Sequence, residues 1–247
     1  MNTPLELDGS FNARCLGGFA LPGGRTTKPG VFIRAGSLHG LTEKGKATLL
    51  GLGINCILDL RSRAEIASRP DTVLEDPRFV WHNLPMLDSM NSAVAGETSS
   101  GFSPRTLEEM YVGLLKDSRE SFRQLFALLA SPECGGYLIH CAAGKDRTGI
   151  AVALILSLAG ASPEDIIADY SRSEGFLREF LAKSYKREGA LSQLDPSHPL
   201  IPSPPQAMVD FLYHLNSTYG GGRAYLEGIG VSPAELDAIA EKFTSAG

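Results

Sequence analysis

One decade, His140-Cys141-Ala142-Ala143-Gly144-Lys145-Asp146-Arg147-Thr148-Gly149, constrains this chain more tightly than any other stretch. It sets a cysteine and an arginine with five residues between them, flanked by two apolar runs of different character. Gly136-Tyr137-Leu138-Ile139 reads as a short buried strand, and Ile150 to Leu158 as a buried helix ending near Gly160. The decade is therefore a strand-to-helix turn, with backbone N–H groups and a helix N-terminus aimed at whatever it encloses. Such a turn suits a tetrahedral oxyanion. A cysteine inside it supplies a nucleophile.

The residue types fit that chemistry. A thiol attacks phosphorus as a thiolate, and a helix N-terminus with Lys145 and Arg147 nearby favours the anion. The planar fork of Arg147 can hold two phosphoryl oxygens and the charge that grows in the transition state. The backbone of Ala142, Ala143, Gly144, Lys145, Asp146 and Arg147 would line the phosphate, and Gly144 and Gly149 let the main chain approach closely. The Thr148 hydroxyl is placed to donate to the Cys141 sulfur, and His140 to orient loop carbonyls rather than react. A lone Cys-x5-Arg is a weak signal, since a buried cysteine is usually a small hydrophobe. Here strand, histidine, glycines, cations and apolar helix agree.

The decade resembles the signature of the cysteine-dependent tyrosine phosphatase superfamily. Lys145-Asp146 before Arg147 is similar to one branch, typified by mycobacterial protein tyrosine phosphatase B and related bacterial and fungal lipid-phosphatase-like enzymes. Phe11-Asn12-Ala13-Arg14 with Leu16-Gly17-Gly18 resembles that branch's N-terminal segment, except that Cys15 stands where the pattern usually has Asp. Ile33 to Leu38, and Ile57-Leu58-Asp59-Leu60-Arg61-Ser62 with Glu65, also match, so the likeness runs from about residue 11 to 170. It implies a metal-independent, cofactor-free, two-step hydrolysis: Cys141 displaces the alcohol or phenol, and water then hydrolyses the phosphocysteine. A general acid should protonate the leaving oxygen.

Three aspartates compete for that role. Asp146 ranks first, because the resemblance to that branch implies an acid/base at its position. Asp88 ranks second, following a strand-like stretch where other tyrosine phosphatases carry a mobile acid loop. Asp59 ranks last, and its expected role is to hold Arg61 or the loop backbone.

A chain of 247 residues suits one large domain, with residues 11–170 as catalytic core and 171–247 as a helical part completing it. No stretch reaches the ~20 apolar residues that span a bilayer, and Met1 to Asp8 lacks the pattern of a secretory signal. Four cysteines without paired or metal-like spacing, one of them a catalytic thiolate, point to a reducing, cytoplasmic compartment. The net charge of −5 argues against nucleic-acid binding. A polyanionic substrate would depend on Lys145 and Arg147, joined by Arg61 and Arg63 unless these form a surface set with Glu65.

Strands over Val31–Arg34, Ile54–Leu60, Phe79–Leu84 and Gly136–His140, separated by helices, predict an α/β fold with a mostly parallel central sheet flanked by helices. Ser162, Ser203 and Ser232 read as helix N-caps, and Asp117-x-x-Glu120 as a further helix start. Residues 88–103 and 183–203 lack core periodicity and read as lids or plain connections. The expected activity is a phosphomonoesterase acting on phosphotyrosine proteins, with dual-specificity or phosphoinositide activity in view. A soluble inositol-phosphate phosphatase and a phosphate-binding module with vestigial turnover are the alternatives.

Overall fold

The computed structural model describes residues 4–86, 106–188 and 202–245, without the side chains of 181–188. Five strands form one sheet: β1 (Arg14–Cys15), β2 (Phe32–Ala35), β3 (Cys56–Asp59), β4 (Val80–Asn83) and β5 (Tyr137–His140), in spatial order β1-β2-β5-β3-β4. β1, which the sequence did not announce, pairs antiparallel with β2; the other pairs are parallel. β5 is central, and its four residues are fully buried. Strands covered on both faces are apolar throughout, which is why Tyr137-Leu138-Ile139 shows no polar alternation.

Register decides where the chemistry sits. Ala35 and Asp59 both pair with His140, so three parallel strands end level and Cys141 leaves from the middle of that edge. Alternate residues feed two cores. Phe32, Cys56, Leu58, Tyr137 and Ile139 face the larger one, while Ile33, Ile57 and Leu138 face the smaller.

The helices are α1 (Glu43–Gly51), α2 (Arg63–Ser68), α3 (Leu107–Asp117), α4 (Arg119–Ala130), α5 (Asp146–Ala159), α6 (Pro163–Glu188), α7 (Pro205–Tyr219), α8 (Gly222–Gly228) and α9 (Pro233–Phe243). α5 is apolar almost all round because it lies inside the larger core. It stops where Gly160 turns left-handed at φ 88° and donates its N–H to Leu156 O and Ser157 O.

Local signals were read correctly at Ser232, which forms a full capping box with Glu235, and at Ser162, whose Oγ accepts from Asp165 N. Three readings are corrected. Ser203 does not cap α7: the N-cap is Pro204, and the Ser203 hydroxyl is buried with no partner among the described residues. Asp117 closes α3, and α4 begins after Ser118. α6 continues through residue 188, so the expected connection 183–203 starts as helix, and its remainder to 201 lies outside the described residues. Segment 88–103 also lies outside them. Among the described residues no helix is long and apolar enough to cross a membrane.

Candidate active site

Cys141 follows the central strand and Asp146 opens α5, so residues 141–145 form the turn between them. Gly144 is required there. Its φ is +66°, and a Cβ would lie 2.2 Å from the Ala35 carbonyl oxygen.

The turn's carbonyls are held from outside. Ser37 N donates to Ala142 O at 3.0 Å. Asn12 Nδ2 donates to Ala143 O and Gly144 O, both at 3.0 Å, and Arg34 Nη2 donates to Gly144 O at 2.7 Å. In a trans peptide the C=O of one residue and the N–H of the next point in opposite directions. Outward carbonyls at 142–144 therefore turn the N–H groups of Ala143, Gly144 and Lys145 toward the interior of the loop, as an oxyanion requires.

The side chains making those contacts are themselves fixed. Asn12 takes the left-handed φ of 54° that asparagine tolerates. Its Oδ1 accepts from Arg14 Nη1 at 2.5 Å, which leaves the amide nitrogen to face the loop. Arg14 Nε pairs with Asp169 Oδ1 at 2.8 Å, and Arg34 pairs with Asp169 Oδ2, all three side chains being buried. Burial opposes the Asp169 charge, but Arg14 and Arg34 outweigh it and bring the carboxyl down to about 2. Burial, then the repulsion of Arg34, lowers Arg14 to about 10.

A second cluster holds the strand end. Asp59 Oδ1 accepts from Arg61 N at 2.9 Å, and Arg61 Nη2 lies 2.7 Å from both Asp59 Oδ2 and Asp71 Oδ2. His140 Nε2 lies 3.1 Å from Asp71 Oδ2, and its Nδ1 lies 3.2 Å from Cys141 O. Burial disfavours the imidazolium, yet Asp59 and Asp71 together raise the His140 pKa above its ordinary value. Asp59, Asp71 and His140 bring ligand atoms close enough to hold a metal ion, but the Arg61 guanidinium already supplies positive charge between the two carboxylates.

Arg147 is oriented by Glu65. Nη1 donates to Oε2 at 2.7 Å and Nη2 to Oε1 at 2.8 Å, a bidentate pair that fixes the guanidinium plane. Glu65 Oε2 also accepts from Ser62 N, within the capping box of α2. Burial raises the Glu65 pKa, but Arg147 more than offsets this and holds it at about 2.

Other expected roles are placed differently. Lys145 is fully buried, with its Nζ 2.9 Å from Pro202 O and 3.1 Å from Asp146 Oδ1, so its charge is spent on a neighbouring carboxylate and on the segment before α7. Arg61 is buried between Asp59 and Asp71 rather than joining a basic surface. The Thr148 hydroxyl is buried without a partner among the described residues, and does not reach the Cys141 sulfur. Asp88 lies outside the described residues.

Reading the sequence missed Asp71, Asp169, Tyr111 and Tyr170, and gave Glu65 no part in holding Arg147. Tyr111 OH donates to Asp146 Oδ1 at 2.7 Å.

A sequence model of the tyrosine phosphatase family matches residues 5–245. A tyrosine-protein phosphatase of Nostoc commune is 32% identical over 225 residues, 88% of this chain and 75% of that protein. The triple specificity protein phosphatase PtpB of Mycobacterium tuberculosis is 31% identical over 203 residues, 72% of each chain. A crystal structure of P. aeruginosa TpbA covers 63% of this chain and 83% of its own at 13% identity and a TM-score of 0.33, too slight a likeness to argue from.

Proposed function

The chain belongs to the tyrosine phosphatase family, and on that premise we propose that it hydrolyses phosphotyrosine through a phosphocysteine on Cys141. The observation that carries this reading is the loop itself: three consecutive carbonyls turned outward by Ser37, Asn12 and Arg34, at the end of the central strand, with Cys141 at its start.

In the first step the Cys141 thiolate attacks phosphorus, an S–P bond forms, and the P–O bond to the tyrosine oxygen breaks. Asp146 gives its proton to that leaving oxygen. Arg147, held in plane by Glu65, and the loop N–H groups take up the charge on the phosphoryl oxygens. In the second step water attacks phosphorus, Asp146 takes the water's proton, and the S–P bond breaks to return the thiolate. Asp59 is unsuited to proton transfer because it is buried and both of its oxygens are bound by Arg61.

Phosphotyrosine is favoured over phosphoinositides because Lys145, the cation that would serve a polyanionic headgroup, is engaged by Asp146 and Pro202 O. The test pairs p-nitrophenyl phosphate hydrolysis, with and without chelator, with a panel of phosphotyrosine peptides and phosphoinositides. The expected result is chelator-insensitive turnover, lost in Cys141→Ser, with the peptides preferred. Absence of turnover in the wild type would favour a phosphate-binding module instead. A preference for phosphoinositides or soluble inositol phosphates would overturn the substrate assignment alone.

A further inference from the structure

Two phenols stand behind the loop and have no part in the reaction as proposed. Tyr111 on α3 and Tyr170 on α6 are 0% and 1% exposed. Tyr111 OH donates to Asp146 Oδ1 at 2.7 Å, and the two phenol oxygens are 2.5 Å apart. A phenol has one proton. With the Tyr111 proton committed to the carboxylate, the contact between the phenols is made by the proton of Tyr170. The two hydroxyls therefore run in one direction and end on Asp146. Burial first, and then the neighbouring Asp146 charge, raises both phenols well above their ordinary range, so both stay protonated as donors.

Lys145 Nζ lies 3.1 Å from the same oxygen, Oδ1. Two donors converging on one carboxylate oxygen fix the side chain's rotation and leave proton exchange to Oδ2. Ring packing alone does not demand this arrangement. The edge contacts of Tyr111 with Tyr170 and Phe211, at centroid distances of 6.0 and 6.3 Å, would be equally available to phenylalanine.

We propose that Tyr111, backed by Tyr170, is a positioning residue that sets the orientation and acidity of Asp146, so that its proton is exchanged at Oδ2. The proposal rests on the reading of Asp146 as the acid. The charged and titratable groups that bear on that carboxyl are Lys145 on the loop, Tyr111 from α3 and Tyr170 from α6; Arg147, next to Asp146 in α5, is turned to Glu65. Arg34 on β2 and Glu174 on α6 act on Tyr170.

The test measures kcat/KM against pH for aryl and alkyl phosphates in Tyr111→Phe, Tyr170→Phe, Asp146→Asn and the double variants. An acid must be protonated to act, so kcat/KM falls as pH rises through its pKa. A hydrogen bond donated to a carboxylate favours its charged form, so losing one makes the proton harder to give up. Tyr111→Phe should move the alkaline limb to higher pH and slow poor leaving groups about tenfold. Tyr170→Phe, one bond further away, should give a smaller shift in the same direction, and it carries the test if Tyr111→Phe does not fold. Neither change should matter in the Asp146→Asn background. A folded Tyr111→Phe with the wild-type midpoint, or an equal loss in the Asp146→Asn background, overturns the proposal and leaves the acid assignment standing. An Asp146→Asn enzyme with the wild-type profile overturns both.

Discussion

The loop's two shoulders are held by clusters of opposite make-up. Where Cys141 begins, two carboxylates, Asp59 and Asp71, surround one arginine and one histidine. Where the loop joins α5, two arginines, Arg14 and Arg34, share one carboxylate, Asp169. The first cluster is neutral once His140 is protonated; the second keeps one positive charge. That surplus lies behind Ala143, Gly144 and Lys145, whose N–H groups face the loop interior. The first shoulder thus serves to orient a strand end, and the second adds potential for an anion as well as shape.

Removing the lone acid of the second cluster should therefore do the most damage. Asp169→Asn leaves two buried guanidiniums without a counter-charge and should cost about 3–5 kcal/mol in urea unfolding. Asp71→Asn leaves Arg61 its pair with Asp59 and should cost less, about 1–3 kcal/mol. Equal losses would mean that the two shoulders do not differ as described.

A smaller effect separates them by pH. The folded-state pKa of Asp169 is depressed, so its contribution is present above the unfolded value of ~3.9 and is lost as pH falls toward about 2. That of His140 is raised, so its contribution is full below ~6.5 and is lost as pH climbs through the folded value. The stability gap between wild type and Asp169→Asn should close on acidification, and the gap for His140→Gln should close on alkalinisation. Gaps that close in the same direction would contradict the comparison.

The sheet and the loop were legible because their signals are local. Cys141, Asp146 and Arg147 lie within seven residues, and the apolar runs on either side could only be a buried strand and a buried helix. The supporting acids were not legible, because each reaches the site across the fold. Glu65 belongs to the capping box of α2, which accounts for it locally and hides its second partner, Arg147. Asp169 did carry a signal. Ile166, Asp169, Tyr170 and Ser173 share the buried face of α6, where a carboxylate persists only with a cation beside it. The partners of Lys145 were not legible for the converse reason: the motif places its backbone in the loop, but only the fold shows its ammonium turned to Asp146 and Pro202.

Everything proposed for the loop depends on Cys141 carrying the phosphoryl group between the two steps. The direct measurement is a rapid acid quench during turnover of a radiolabelled phosphotyrosine peptide, followed by mapping of any label on the protein. Transfer through the thiolate should leave one phosphoryl group on the peptide containing Cys141, present in the wild type and absent in Cys141→Ser. Turnover without label on the protein, or label that persists in Cys141→Ser, would contradict it.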